Sequence, residues 1–301
     1  MAVNQVLTRR RWRALGQRWA GWGFVGPFLA VFLFALVVPI GYAIYLSLYR
    51  QQLIGGTVFV GLGNYKLALT DPQFWAAVRR MLLFLAVQVP IMLVLALLAA
   101  LALDSARLRW APLYRLSIFL PYAVPAVVAS LMWGFMYGSQ FGLVARLRSL
   151  FGGHFIDPFS SGWVLAAIGN VVTWEFVGYN MLIFFSALRA VPGELYEAAE
   201  IDGATQFSII RWIKLPALRV AIVVAVIFSV IGSLQLFNEP EILHYLTPDT
   251  IPVNFTPNMY AYNLSFAGQE YNYSAAIAIV MGVLTVVIAA AVQWYGRRRS
   301  A

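Results

Sequence analysis

The chain has 301 residues, of which 61% are hydrophobic and only 11% are charged, with a net charge of +9 and a mean hydropathy of +0.77. Soluble globular domains carry about 25% charged residues, so this composition excludes a soluble domain. The positive charge does not indicate nucleic-acid binding, because the basic residues stand in short flanks of apolar runs, as membrane topology requires. The absence of cysteine excludes disulfides and thiolate metal sites, and two distant loop histidines, His154 and His244, predict no other metal site.

Six apolar segments are long enough to cross a membrane. The first is too long for a signal-peptide core and lacks a small-residue cleavage site, so it is predicted to be an uncleaved span. The third contains Pro121 and Pro125, and the fourth is the least apolar. A short segment with apolar residues at helical spacing, 141–151, is predicted to lie in the membrane interface. The predicted spans are 22–48, 76–103, 116–137, 163–188, 217–237 and 274–295.

The basic residues predict the orientation of these spans. If both termini are cytoplasmic, 15 of the 21 Lys and Arg residues lie inside, in agreement with the positive-inside rule. The predicted fold is therefore an all-α polytopic membrane protein with six transmembrane helices and cytoplasmic termini. It comprises a basic tail at 1–21, a transmembrane domain at 22–296 and a basic tail at 297–301. The polar segment 190–216, between spans four and five, would be cytoplasmic.

Segment 190–216 is typical of two short amphipathic helices joined by a glycine turn. Pro192 and Gly193 can start the first helix, and the acidic residues that follow suit its positive end. Gly203 stands where a helix C-cap needs positive φ. Thr205 can cap the second helix, and Pro216 can open the next span.

The same segment resembles the EAA loop of bacterial ABC-importer permeases. The match consists of Glu197-Ala198-Ala199, Gly203 after three residues, Ile213 after nine more, and then Leu215-Pro216. We therefore call 190–216 the EAA loop. The resemblance implies a coupling helix that docks in a cleft of a separate ATPase subunit. The residues expected at or supporting that contact are Glu197, Ala198, Ala199, Asp202, Gly203, Ile213, Leu215 and Pro216.

Two further stretches, 71–75 and 119–125, resemble the carbohydrate branch of these permeases, the maltose and glycerol-phosphate type. This resemblance implies a bacterial cytoplasmic-membrane protein that carries a sugar, surrounded by membrane lipids. It also implies a second homologous permease, two ATPase subunits and an exterior solute-binding protein. The chain has no G-x-x-x-x-G-K-[ST] phosphate loop and no Ser/His/Asp set. It is therefore predicted not to be an enzyme and to bind no cofactor, with ATP and Mg held by the partner ATPase.

Polar residues in spans four and five predict the substrate path, because polar groups at membrane depth usually face a cavity or the protein interior. Amides and a carboxylate suit sugar hydroxyls, and aromatic rings suit the apolar faces of a neutral sugar. Gln235 and Asn238 are predicted to share one helix face. Glu175 is the one acidic residue that lies well inside a predicted span. Hydrogen bonding between helices remains the alternative role for each residue. The predicted path residues are Asn170, Trp174, Glu175, Tyr179, Asn180, Gln235 and Asn238.

Two other functions remain open. An ABC permease for a non-sugar solute is possible because the EAA loop does not define the cargo. A stand-alone ion-coupled transporter would predict intramembrane charged pairs and an internal repeat, and neither is evident in the sequence.

Overall fold

The computed structural model describes residues 22–52, 54–105, 109–140, 142–151 and 156–300, without the side chains of 297–300. The predicted tail 1–21 and His154 lie outside the described residues, as do the side chains of the predicted tail 297–301. The domain boundaries proposed from the sequence therefore stay predictions.

The described chain is mainly helical, as predicted. Helix α1 (Trp22–Ser47) leads into a small antiparallel hairpin of β1 (Tyr49–Gln52) and β2 (Gly56–Phe59). Next come α2 (Gly63–Thr70), α3 (Pro72–Asp104), α4 (Ala111–Ala123), α5 (Ala126–Tyr137), α6 (Leu143–Leu150) and α7 (Val164–Arg189). The remaining helices are α8 (Gly193–Ile201), α9 (206–217), α10 (Arg219–Leu234), α11 (Asn238–His244), α12 (Pro257–Phe266) and α13 (Tyr271–Ser300).

The predicted third span is not a single straight helix. Helices α4 and α5 meet at an angle of 98°, and the break falls at Val124 and Pro125, where the backbone is extended. Proline disfavours helical geometry in the residue before it, which accounts for the position of the break. Among the described residues, five segments are long and apolar enough to cross a membrane, or six if the bent pair counts as one span. One of the five, Arg219–His244, comprises α10 and α11. The number of spans therefore remains a prediction.

The centre of the bundle is the packing of α3 against α7. Small side chains of α3, Ala96 and Ala100, lie against Met181, Phe184 and Leu188 of α7, and all five are fully or almost fully buried. Small residues let the backbones of membrane helices approach closely. This packing holds the polar residues of both helices in fixed relative positions.

The outer surface of the bundle is strongly apolar. The most apolar stretch of α1 buries none of its residues, although its mean hydropathy is 2.4. Exposed apolar surface of this extent is typical of membrane or protein contacts. The surface therefore agrees with the prediction of a multi-pass membrane protein.

Candidate functional site

The EAA loop has the predicted conformation of two short helices and a glycine turn. Helix α8 begins directly after Pro192, and Gly203 follows it with a φ of +76°. The Thr205 hydroxyl oxygen accepts a hydrogen bond from the Ser208 amide at 3.3 Å, which caps α9. Non-glycine residues seldom adopt positive φ, so Gly203 sets the direction in which α9 leaves the turn.

The exposed face of the loop contains part of the predicted contact set. Glu197, Ala198, Asp202 and Gly203 are exposed, whereas Ala199, Ile213, Leu215 and Pro216 are half-buried against the bundle. Four large apolar side chains outside the predicted contact set also face outward, namely Leu195, Ile201, Phe207 and Trp212. Large exposed apolar side chains on a polar loop indicate a protein contact. The presence of several large apolar residues in so short a polar segment was the sequence signal that could have identified them.

A cluster of charged side chains attaches the loop to the bundle. Lys214 Nζ lies 2.6 Å from Asp104 Oδ2 at the end of α3, and Arg189 Nε lies 3.9 Å from Asp104 Oδ1. The same Lys214 nitrogen is 5.4 Å from the centre of the Tyr196 ring in α8. Burial and the neighbouring charge of Asp104 raise the pKa of the Tyr196 hydroxyl. Sequence reasoning missed this cluster because Asp104 and Lys214 are 110 residues apart.

A second candidate site is a cavity of about 370 Å³ between α3, α4, α7, α10 and α11. Its volume falls within the range of small-molecule sites, about 300–1,000 Å³. One wall is aromatic, with the Tyr122 and Tyr179 rings stacked at 5.0 Å and Phe176 edge-on to Tyr122 at 5.7 Å. The polar side chains that line the cavity are Gln88, Asn180, Ser229, Ser233, Gln235, Asn238 and Glu239.

Several buried oxygen atoms at this cavity have no hydrogen-bond partner among the described residues. Asn180 donates to the Phe176 carbonyl at 3.1 Å, and this bond leaves its side-chain oxygen free. Gln88 donates to the Thr173 hydroxyl at 3.3 Å, and its oxygen is also unpaired. Unpaired buried acceptors are costly. A ligand rich in hydroxyl donors would satisfy them.

Glu175 is buried, with 3% of its surface exposed, and neither of its carboxyl oxygens meets an N–H or hydroxyl donor among the described residues. The carboxyl group of Glu239 lies close enough to interact with it electrically, and Glu239 itself lines the cavity and is buried. The sequence interpretation of a lone intramembrane acid was therefore wrong. Glu239 was missed because it follows the apolar run of α10 and was assigned to a loop.

The structure separates the predicted path residues, and Glu175 is not among those lining the cavity. Tyr179, Asn180, Gln235 and Asn238 line the cavity. Asn170 instead donates to the Tyr137 hydroxyl at 2.8 Å, and Trp174 packs edge-on against Trp133 at 5.9 Å. These two residues contact α5 and are not among those lining the cavity.

The prediction that Gln235 and Asn238 share a helix face is wrong. Helix α10 ends at Leu234, and Gln235 is its C-cap, whereas Asn238 begins α11. The two side chains reach the cavity from different elements because the chain unwinds between them.

Comparison with known proteins identifies the family. Residues 74–301 match the family described as binding-protein-dependent transport system inner membrane component. The chain belongs to this family. Because it also has several apolar helices, this chain is a multi-pass membrane protein and a component of a transport system.

Relatives within this permease family match along nearly the whole chain. The lactose transport system permease protein LacF of Rhizobium radiobacter is 34% identical over 289 residues, covering 92% of this chain and 94% of that protein. The diacetylchitobiose uptake system permease protein NgcF of Streptomyces coelicolor is 32% identical, covering 89% and 80%. A bacterial ABC transporter involved in the import of alginate shares the fold, with a TM-score of 0.85 and 21% identity over 97% of this chain and 100% of that chain.

Proposed function

We propose that this chain is one of two permease subunits of an ATP-driven carbohydrate importer in the bacterial inner membrane. The observation that carries the proposal is the near full-length similarity to permeases named for lactose and diacetylchitobiose transport, at 34% and 32% identity. Further relatives are named for sulfoquinovosyl glycerol, arabinooligosaccharides and trehalose/maltose. All these names describe carbohydrates or their glycosides.

The cavity supports a carbohydrate cargo on chemical grounds. The unpaired oxygens of Gln88 and Asn180 need hydrogen-bond donors, and sugar hydroxyls supply them. The stacked rings of Tyr122 and Tyr179 offer an apolar surface for a sugar ring. The cavity lining contains no Lys or Arg among the described residues, and this composition favours a neutral cargo over an anionic one. Glu239 supplies the acidic side chain of the proposed path, and Glu175 is a buried acid that interacts with it.

The EAA loop would receive the energy of ATP hydrolysis from a partner. We propose that the ATPase subunits bind ATP and Mg, and that this chain neither binds a cofactor nor catalyses hydrolysis. The exposed residues Glu197, Asp202 and Phe207 would enter a cleft on the ATPase. Movement of that cleft would then bias α8 and α9 between two positions.

The remaining partners follow from the proposed importer. A second, homologous permease would complete the translocation path and cover part of the exposed apolar surface. An exterior solute-binding protein would deliver the sugar. A solved structure of the alginate ABC transporter, to which this chain is similar in fold, is in complex with an alginate pentasaccharide-bound periplasmic protein.

The first experiment tests assembly. The chain is purified in mild detergent from its native membrane, and the co-purifying subunits are identified. We expect a second permease and an ATPase. A homo-oligomer without an ATPase would contradict the proposal.

A matched pair of glycine variants tests the role of the loop in that assembly. Gly203→Val should lose the ATPase while still inserting into the membrane, because valine at positive φ costs about 1–2 kcal/mol and would redirect α9. Gly193→Ala is the control, since Gly193 has open space around it and no positive φ. Equal ATPase recovery from the two variants would contradict docking through the turn.

The second experiment tests the cargo. The complete complex is reconstituted in liposomes with ATP inside, and uptake of lactose, maltose and trehalose is compared with uptake of histidine. Glu239→Gln should lower sugar uptake about tenfold, because the amide replaces one carboxyl oxygen with a donor group and a lost hydrogen bond costs about 0.5–1.5 kcal/mol. Glu175→Gln should also lower sugar uptake.

Glu241→Gln provides the control for these acid variants. Glu241 is also buried and has an unpaired oxygen, but it does not line the cavity. Uptake that is unchanged in Glu239→Gln, or driven by a proton gradient without ATP, would reject the proposed path. The second outcome would favour an ion-coupled transporter built on the Glu175 and Glu239 pair.

A further inference from the structure

The last residue of α3, Asp104, occupies an unfavourable place for an acid. Carboxylates at a helix C-terminus face the negative end of the helix dipole. The Asp104 side chain is also only 9% exposed, and burying a charge is costly unless it is paired. Its position therefore requires nearby cations.

Two cations, one directly before the EAA loop and one near its end, supply that compensation. Lys214 Nζ lies 2.6 Å from one Asp104 oxygen with only 10% of its side chain exposed. Arg189, the last residue of α7, lies 3.9 Å from the other oxygen with 64% of its side chain exposed. Lys214 is therefore the buried and closer partner. Arg189 adds a weaker, solvent-screened attraction.

Lys214 also contacts the first helix of the loop. Its nitrogen lies 5.4 Å from the centre of the Tyr196 ring, and Tyr196 directly precedes Glu197 in α8. Lys214 closes a π-helical turn, Ile210–Lys214, and such turns are frequent at functional sites. One side chain thus contacts both the segment expected to meet the ATPase and the end of α3.

The covalent chain gives the loop no direct link to α3. It connects the loop only to α7 and α10, which it joins in sequence. Helix α3 nevertheless reaches the cavity, because Gln88 lies 16 residues before Asp104 in the same helix. At about 1.5 Å per residue this is about 24 Å. The ion pair is a polar contact through which loop movement can reach that helix.

We propose that Asp104 and Lys214 are positioning residues that couple displacement of the EAA loop to α3, and through α3 to the cavity. The inference rests on the proposed function, since it assumes an ATPase acting on the loop. Without the pair, the ATPase would still dock and hydrolyse ATP. Helix α3 would then no longer move with the EAA loop.

The test uses the reconstituted complex with four variants. ATP hydrolysis is measured with and without the solute-binding protein, together with uptake of the panel sugar that the unmodified complex accumulates best. Asp104→Asn and Lys214→Met should each lower the sugar transported per ATP at least fivefold, with the ATPase still co-purifying. The double variant should be no worse than either single variant, because both remove the same interaction. Lys214→Arg keeps the charge and should retain most of the coupling.

Asp157→Asn is the matched control. Asp157 pairs with Arg148 at 3.4 Å, but this pair is 44% and 31% exposed and lies away from the loop. Its loss should leave the transport ratio unchanged. An unchanged ratio in Asp104→Asn, additive losses in the double variant, or release of the ATPase would each overturn the inference. If the unmodified complex accumulates none of the sugars, the proposed cargo fails, while the response of hydrolysis to the solute-binding protein still tests the ion pair.

Discussion

At the scale of single residues, one polar side chain can form hydrogen bonds with several neighbours at once. Asp71 is an example at the start of α3. Its side chain accepts a hydrogen bond from the Gln73 amide at 2.8 Å and caps the helix. Its other oxygen accepts from the hydroxyls of Tyr260 and Tyr273, each at 2.7 Å. One carboxylate thus joins α3, α12 and α13 at the end of the bundle opposite the EAA loop.

These contacts make the contribution of Asp71 to the stability of the fold depend on pH. Burial by itself would raise the pKa of Asp71, but the hydrogen bonds from the two tyrosines and the backbone outweigh it and lower the pKa below the usual value. A carboxyl whose pKa is lower in the folded than in the unfolded protein stabilises the fold above the unfolded pKa of about 3.9. That contribution is lost as the pH falls through the folded pKa.

We expect Asp71→Asn to lower the melting temperature at pH 7 and to differ less from the unmodified protein below about pH 4. Asparagine caps helices as well as aspartate does, so the variant removes the charge and keeps the cap. The measurement is thermal unfolding of the purified protein in detergent between pH 3 and pH 8. Asp157→Asn, at an exposed pair, should show little change at any pH. A difference that stays constant across this range would contradict the charged role of Asp71.

At the scale of whole elements, close backbone packing holds the broken third span in place. A Cβ atom added at Gly178 of α7 would clash with the carbonyl oxygen of Ile118 in α4. The neighbouring atoms belong to the backbone, which cannot move aside as a flexible side chain can. Gly178 thereby allows α4 to lie directly on α7, and this brings Tyr122 against Tyr179 at the cavity wall.

We expect Gly178→Ala to destabilise the protein by about 1–3 kcal/mol, the usual range for overpacking. It should also disturb the cavity wall and lower uptake. Gly169→Ala in the same helix is the control, because its added Cβ would meet Gln88 at an ordinary distance of 3.5 Å. Thermal unfolding and uptake of both variants provide the comparison. Equal melting temperatures of the two variants would contradict this prediction. They would show that α4 can shift away from α7 without destabilising the protein.

At the scale of the whole molecule, orientation and span number remain predictions that a direct experiment can test. Reporter proteins fused to either terminus should be cytoplasmic, because 15 of 21 basic residues then lie inside. A reporter inserted at Gly55, in the turn of the β1–β2 hairpin, should be exterior. An exterior C-terminus would give an odd number of spans and would mean that the bent α4 and α5 pair does not cross the membrane.

Features that depend on neighbouring residues could be predicted from the sequence alone. The apolar runs gave the membrane class, because hydrocarbon requires long apolar helices. The turn at Gly203 and the cap at Thr205 were predicted correctly, since each depends on contacts within a few residues. The spacing of the EAA loop identified the permease family for the same reason.

The packing of the helices established which distant residues meet. It placed Asn170 and Trp174 against α5, and it brought Glu239, in the first turn of α11, near Glu175. It also joined Asp104 to Lys214 across 110 residues. These outcomes depend on helix rotation, on the right-angle break after α4 and on unwinding at Gln235. Such features arise from packing between helices, and the hydrophobic pattern of the sequence does not encode them locally.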